Sequence, residues 1–337
     1  MVFIRKFLFP FSILYFLIIS LRNILFDIGI LKSKHFNVPL IGIGNLSLGG
    51  TGKTPLVEYI FKNFSENFNL SLLSRGYKRS SSGYFKADEN SSPSLIGDEP
   101  YQILKKFKKI QIAVDQNRAR GVKNLINDFP SLQGIVLDDC FQHRYVSLKL
   151  NILLTTYNDP FFKDCMLPSG NLREPRDGYK RADVIIVSKC PKNLESSVML
   201  QFQNSLQLQK HQSLFFTSIQ YNDTLIGNSN IQVQKLKGLR ILLVTGISNS
   251  LPILKYLNDQ NIEFDHFDYS DHHEYSINDI KKIETKFPNS IVITTEKDFR
   301  KISDLNLKNN LYYLEIKTRF LKNEELFKSL VKKALIN

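Results

Sequence analysis

Short apolar runs alternate along most of the chain with longer stretches whose apolar residues recur every three to four positions. The runs at 38–44, 70–74, 110–114, 134–138, 152–155 and 183–188 are predicted strands. Helical spacing follows at 53–66, 100–108 and 117–128. Strand-helix alternation of this kind predicts a mostly parallel sheet covered by helices on both faces. Residues 77–98 are rich in Ser, Gly and charge and predict a long loop ending in Gly97-Asp98-Glu99-Pro100.

After residue 201 the chain turns rich in Gln, Asn and Ser, and only a strand at 214–219 stands out. A second rhythm then begins, with strands at 240–245, 263–268, 290–295 and 311–316 and helices at 252–260, 277–287 and 322–334. The expected division is an N-terminal segment 1–35, a larger α/β domain 36–220, a linker 221–237 and a second, smaller α/β domain 238–337.

The N-terminal segment breaks the pattern. Residues 7–21, FLFPFSILYFLIISL, are apolar almost throughout and are flanked by Arg5, Lys6 and Arg22. Fifteen residues fall short of the ~20 that span a bilayer as a helix. A secretory leader is disfavoured, because no small-x-small cleavage site follows. A buried helix is the plain alternative. The preferred expectation is a retained apolar helix that spans or lies in a membrane, its basic flanks on the cytoplasmic side.

Composition adds one constraint. The formal net charge is +13, with 45 Lys and Arg against 32 Asp and Glu, which favours anionic partners. No basic-aromatic nucleic-acid module is present, so a membrane or lipid ranks above nucleic acid. Cys140, Cys165 and Cys190 lie too far apart for a zinc or disulfide framework, as expected in a reducing compartment.

The densest chemistry sits between the first strand and helix, in GNLSLGGTGKTP, residues 44–55. Gly49-Gly50-Thr51-Gly52-Lys53-Thr54 is a phosphate-binding loop: glycines let backbone amides curl around phosphate oxygens at a helix N-terminus. Lys53 is placed to reach the β- and γ-phosphates of ATP and Thr54 to hold Mg²⁺. Ser47 and Leu48 complete the loop, and Pro55 fits the first helical turn. A carboxylate for the metal is available in GIVLDD, residues 134–139, where Asp138 ends the strand and Asp139 follows it. The loop resembles that of partitioning ATPases, but Leu48 stands where those carry a lysine. No Asn-Lys-x-Asp of a GTPase follows a late strand; Thr295-Glu296-Lys297-Asp298 is a loose echo.

LSRGYKR (73–79), GDEP (97–100), VLDDCFQHR (136–144), LPSGNLREP (167–175), DHHEY (271–275) and TTEKD (294–298) occur in this order. Together they resemble the tetraacyldisaccharide 4'-kinase family of lipid A biosynthesis over about residues 38–320. Cys140 departs from the glycine usual there, while Ser47 matches the family's small hydroxyl residue. The resemblance implies a P-loop NTPase-type fold that phosphorylates the 4'-hydroxyl of an acylated glucosamine disaccharide 1-phosphate, on the cytoplasmic face of the inner membrane. It implies ATP and Mg²⁺ as cofactors, inner-membrane lipids as surroundings, and neither nucleic acid nor an evident protein partner. Asp98 becomes the general base, with His272 (or His273) orienting it across two domains that close. Lys53 and Asp139 join Asp98 and His272 as catalytic residues, and Glu99 joins Thr54 and Asp138 at the metal. Arg75 and Arg118 are expected at phosphate oxygens. Asn171, Arg173 and Glu174 are expected on the substrate side, and Tyr77 is weighed as a nucleotide contact. A membrane-associated ATPase switch acting on a protein partner is the alternative, and Asp98 and His272 would have no task in it. A soluble metabolite kinase would leave the apolar N-terminus without a purpose.

Overall fold

The computed structural model describes Arg5 and residues 7–336; Lys6, called above as a basic flank, lies outside them. The chain forms two compact units, one of residues 1–219 and 318–337 and one of residues 220–317.

In the first unit, β1 (Leu40–Asn45), β2 (Leu70–Ser74), β3 (Phe85–Lys86), β4 (Gln111–Val114), β5 (Gly134–Asp138), β6 (Leu150–Thr156), β7 (Val184–Ser188) and the start of β8 (Ser213–Gly227) form one sheet. Its order is β8–β7–β6–β1–β5–β2–β4–β3, parallel except for β3. The helices are α1 (Phe9–Asp27), α2 (Lys53–Phe64), α3 (Pro93–Ile96), α4 (Asp98–Lys106), α5 (Arg118–Asp128) and α6 (Ser196–Leu206). Strand β5 shows why both faces are covered. Val136 points into a core with Leu56, Ile60 and Phe61 of α2, whereas Ile135 and Leu137 point into another with Val122 and Leu125 of α5. A strand buried on both sides reads as an unbroken apolar run, as this one does. Helix α2 leaves the end of central β1, where successive strands diverge to opposite sides. In open parallel sheets ligands bind at that place.

The second unit contains the end of β8, β9 (Ile231–Gln232), β10 (Ile241–Thr245), β11 (Asp265–Asp268), β12 (Ile291–Thr295) and most of β13 (Asn310–Phe320), in the order β11–β10–β12–β13–β8 with β9 beside β8. Helix α7 (Leu251–Asp259) covers one face, and α8 (Ile277–Lys286) with α9 (Glu296–Ile302) the other. The final helix, α10 (Glu324–Ile336), differs from its expected place in a domain running to residue 337. Phe327, Val331 and Leu335 pack with Phe61 and Phe215 in the first unit's core. The expected linker 221–237 is also structured, because β8 extends to Gly227 and β9 pairs with it at Thr224–Gln232.

Candidate active site

The phosphate-loop residues lie where β1 passes into α2. Gly49 (φ +104°) and Gly52 (φ +86°) adopt left-handed conformations that side chains disfavour, so the glycines fix the loop's path. Two neighbours anchor that path. Ser47 bridges Leu172 and Leu48 N donates to Asn171 O at 2.8 Å, while Ser188 Oγ, ending β7, donates to Thr51 O at 2.7 Å. Ser188 and Lys189 were missed in the sequence, because nothing local connects them to a loop 137 residues away. The Lys189 amine lies 3.9 Å from where a Cβ on Gly50 would sit, and burial lowers its pKa.

Lys53 Nζ lies 3.1 Å from Asn45 Oδ1 and 3.3 Å from Asp139 Oδ1. Asp139 adopts φ +47° and also receives Arg173 Nη1 at 3.0 and 3.2 Å. Burial pushes its carboxyl up, but Lys53 and Arg173 together outweigh burial and hold it at about 2. Asp138 responds in the opposite way. Burial, the largest influence, raises it to about 6; Asp139 and Glu99 add to the rise, and Lys53 and Arg118 oppose it. Ser74 Oγ reaches Asp138 Oδ2 only at 3.5 Å, and Asp138 Oδ1 is buried without a hydrogen bond from any described residue. Thr54, Glu99 and Asp138 line one small depression with Val57, Leu72, Pro100 and Ile103. Asp98 is the first residue of α4, adjoining Glu99 and entered through Gly97 at φ +92°. Among the described residues no cluster of three His, Cys, Asp or Glu side chains is set to hold a metal.

Two expected ligand contacts prove to be internal braces. Arg118 is 2% exposed and donates to the main-chain carbonyls of Asp115 (2.5 Å) and Asp138 (2.9 Å). It fixes the turn that carries the paired aspartates and does not face open space. Glu174 is fully buried and accepts from Arg181 Nη2 at 2.7 Å and Asn23 Nδ2 at 3.3 Å. Arg75, by contrast, is exposed at the end of β2, and Tyr77 is 57% exposed beside it. Asn171 Oδ1 accepts from Arg5 Nη2 at 3.1 Å.

Helix α1 runs beside these loops. Ser12 Oγ donates to Met166 O (3.1 Å), Tyr15 OH to Arg173 O (3.0 Å) and Arg22 Nη2 to Gln142 O (2.8 Å), while Arg144 pairs with Asp27. Phe9, Phe11, Leu14, Leu17 and Leu21 are exposed along the same helix. It is long and apolar enough to cross a membrane by length and composition.

In the second unit the two histidines differ. His273 stacks on Tyr269 (4.4 Å between centroids), meets Tyr275 edge-on and lies 3.3 Å from Asp279, which closes the capping box of α8. His272 has φ +60°, and its Nδ1 lies 3.0 Å from Lys297 Nζ. His273 is thus held by its aromatic neighbours and Asp279, and His272 lies against the Lys297 amine.

A family model described as tetraacyldisaccharide-1-P 4'-kinase matches residues 4–335. The chain belongs to this kinase family. It is 45% identical over 325 residues to the tetraacyldisaccharide 4'-kinase of Flavobacterium johnsoniae, covering 96% of this chain and 95% of that one. The Flavobacterium psychrophilum relative of the same name is 46% identical over 328 residues, at 96% and 95% coverage. The Bacteroides thetaiotaomicron relative is 40% identical over 344 residues, at 96% and 90%. Among solved structures, the Aquifex aeolicus family member LpxK, crystallised in complex with ATP, matches with a TM-score of 0.81 and 30% identity, covering 98% of this chain and 99% of that chain.

Proposed function

We propose that this kinase moves the γ-phosphoryl group of ATP to the 4'-hydroxyl of an acylated glucosamine disaccharide 1-phosphate, within the first unit's strand-end site. The observation that carries this reading is the convergence of Lys53, Thr54, Asp138, Asp139 and Glu99 at the ends of β1 and β5 and the start of α4. ATP phosphates lie against the amides of residues 48–54, where the α2 N-terminus adds partial positive charge. Lys53 draws on the transferring oxygens, and Asp139 with Asn45 keeps its amine aimed. A sugar hydroxyl is too weak an acid to ionise unaided at neutral pH, so Asp98 accepts its proton as the oxygen attacks phosphorus and ADP departs. Arg173 and exposed Arg75 supply guanidinium groups for anionic oxygens. The role given to His272, orienting that base, rests on the family resemblance alone.

Mg²⁺ fits the residues present. Asp138 Oδ1 is an orphaned buried acceptor, and Thr54 and Glu99 share its depression. An ion held by one or two protein oxygens and by nucleotide phosphates needs no three-residue cage. When bound it neutralises charge on the phosphates.

The lipid side falls to α1. Its polar contacts run from Ser12 to Asp27, so the helix, about 28 Å long, is fastened to the rest of the first unit over most of its length. A helix tied down in this way lies in the membrane surface with its apolar face in the acyl region, and does not cross. The kinase then works on the cytoplasmic leaflet, where ATP is available and the basic chain meets anionic headgroups. The test is transfer of radiolabel from γ-labelled ATP into an organic-extractable lipid. Release of inorganic phosphate alone, stimulated by a protein partner, would instead establish the switch.

A further inference from the structure

We propose that Lys189 is a second cation of the nucleotide site, holding the phosphates of the ADP portion of ATP from the side opposite Lys53. The inference rests on the reading of residues 47–54 as the ATP site and starts from Gly50. That residue has no positive φ, unlike Gly49 and Gly52, so its backbone would accept a side chain. Nor does packing demand a glycine there. Among the described residues, a Cβ on Gly50 would have only the Lys189 amine within 4 Å, at an ordinary contact distance of 3.9 Å. Neither the loop's path nor its protein neighbours account for the glycine, and the space above it is left to a ligand and one ammonium group.

The backbone fixes where this amine emerges. Lys189 follows the last residue of β7 and is held at φ +57°. Left-handed backbone at a residue with a Cβ persists only where the surroundings over-determine it. Here both flanking residues are pinned: Ser188 O accepts from Tyr157 N at 2.9 Å, and Cys190 N donates to Thr217 O of β8 at 2.9 Å. Ser188 Oγ also donates to Thr51 O at 2.7 Å, so one turn secures the phosphate loop and the amine beside it. Among the described residues the Lys189 amine has no hydrogen-bond or ion-pair partner. The residue is exposed, yet the protein atoms around its amine lower its pKa, with Asp159 opposing. An ammonium group so placed gains from an anionic oxygen that approaches it.

Strand order tells which part of the nucleotide it meets. The order β7–β6–β1–β5 puts Lys189 and Asp139 on opposite sides of β1. Lys53 leans to the β5 side, 3.3 Å from Asp139, where Thr54, Glu99 and Asp138 share a depression. Transfer on that side places the γ-phosphate there, and the phosphate chain then runs back across Gly50 toward the end of β7. Lys189 meets the α- and β-phosphate oxygens, which ATP and ADP share. A contact made in substrate and product alike sets nucleotide affinity more than the rate of transfer.

The experiment titrates the full-length enzyme in detergent, with Mg²⁺ present, with a non-hydrolysable ATP analogue, ADP and inorganic tripolyphosphate. In Lys189→Met all three dissociation constants rise by about 10- to 100-fold, the usual cost of a hydrogen bond to a charged group. KM for ATP rises with them, and kcat falls by a smaller factor. Lys189→Arg recovers most of the affinity. Without nucleotide both variants melt at the wild-type temperature, whereas loss of a lysine that only braced the loop would lower it. Gly50→Ala also melts like the wild type without nucleotide but binds the ATP analogue more weakly. Unchanged affinity for the analogue and ADP in Lys189→Met overturns the inference. So does a loss that spares tripolyphosphate, which would put the amine at the nucleoside. A wild-type enzyme that binds none of the three overturns instead the underlying placement of ATP in this loop.

Discussion

Lys53 Nζ and Asp139 Oδ1 lie 3.3 Å apart, joining the first residue of α2 to the residue that follows β5. The contact explains the left-handed backbone of Asp139: the turn directs its carboxylate toward the phosphate loop while Asp138 stays buried beneath. The pair and Arg173 form a charge network that keeps Asp139 ionised and Lys53 aimed.

Asp139→Asn is therefore expected to slow transfer by about 10²–10³-fold, the usual cost of losing one charge-stabilising group. Stability carries a second reading. Because the folded carboxyl sits at about 2, below the ordinary 3.8, its contribution is complete above about pH 4 and disappears as pH falls through about 2. Denaturant melts of wild type and variant should differ by a constant amount at neutral pH and converge in that acid window.

Asp138 gives the opposite sign. Its carboxyl is pushed up to about 6 by burial, so without metal it takes a proton as pH falls through that value, and the fold gains stability between about 6 and 3.8. Protons and Mg²⁺ compete for the same oxygens. Binding of a non-hydrolysable ATP analogue should need more Mg²⁺ at pH 5.5 than at pH 7.5. Asp138→Asn should weaken binding at both values and remove the difference between them.

Glu174 is a stability residue in this account. Replacing it with Ala strands Arg181 Nη2 and Asn23 Nδ2 and loses hydrogen bonds to a buried carboxylate, at about 1.5–3 kcal/mol. The thermal midpoint should fall by several degrees, and a nucleotide-bound sample should show the same drop.

The exposed face of α1 can be separated from its docking face. Leu14→Glu with Leu17→Glu places charge on the outward side and should abolish co-sedimentation with anionic vesicles, while activity on a short-chain, detergent-dispersed acceptor persists. Tyr15→Phe removes the hydrogen bond to Arg173 O and should lower activity on both acceptors without detaching the enzyme from vesicles.

The elements most legible in the sequence were those buried on two faces. Strands 70–74 and 134–138 match residue for residue, because doubly covered strands read as unbroken apolar runs. Helix α6 was invisible. Its sequence, SSVMLQFQNSL, buries only Phe202 and Leu206, too few positions to impose a period on a Gln- and Ser-rich stretch. Helix α10 was found but assigned to the wrong unit, since helical periodicity says which face is apolar and nothing of what it packs against. At the site, the phosphate loop and paired aspartates are local motifs and were readable. The braces were not. Arg118 looks like a phosphate ligand until the Asp138 carbonyl is seen beneath it, and Ser188 and Lys189 meet the loop only through strand order.

Single-turnover transfer from enzyme-bound ATP to the tetraacyldisaccharide 1-phosphate, measured side by side for wild type and Asp98→Asn, probes the mechanism most directly. The expected result is a phosphorylated 4'-position from the wild type, and a variant that binds ATP equally well yet transfers about 10²–10⁴-fold more slowly. An Asp98→Asn enzyme that phosphorylates the lipid at the wild-type rate would contradict the account.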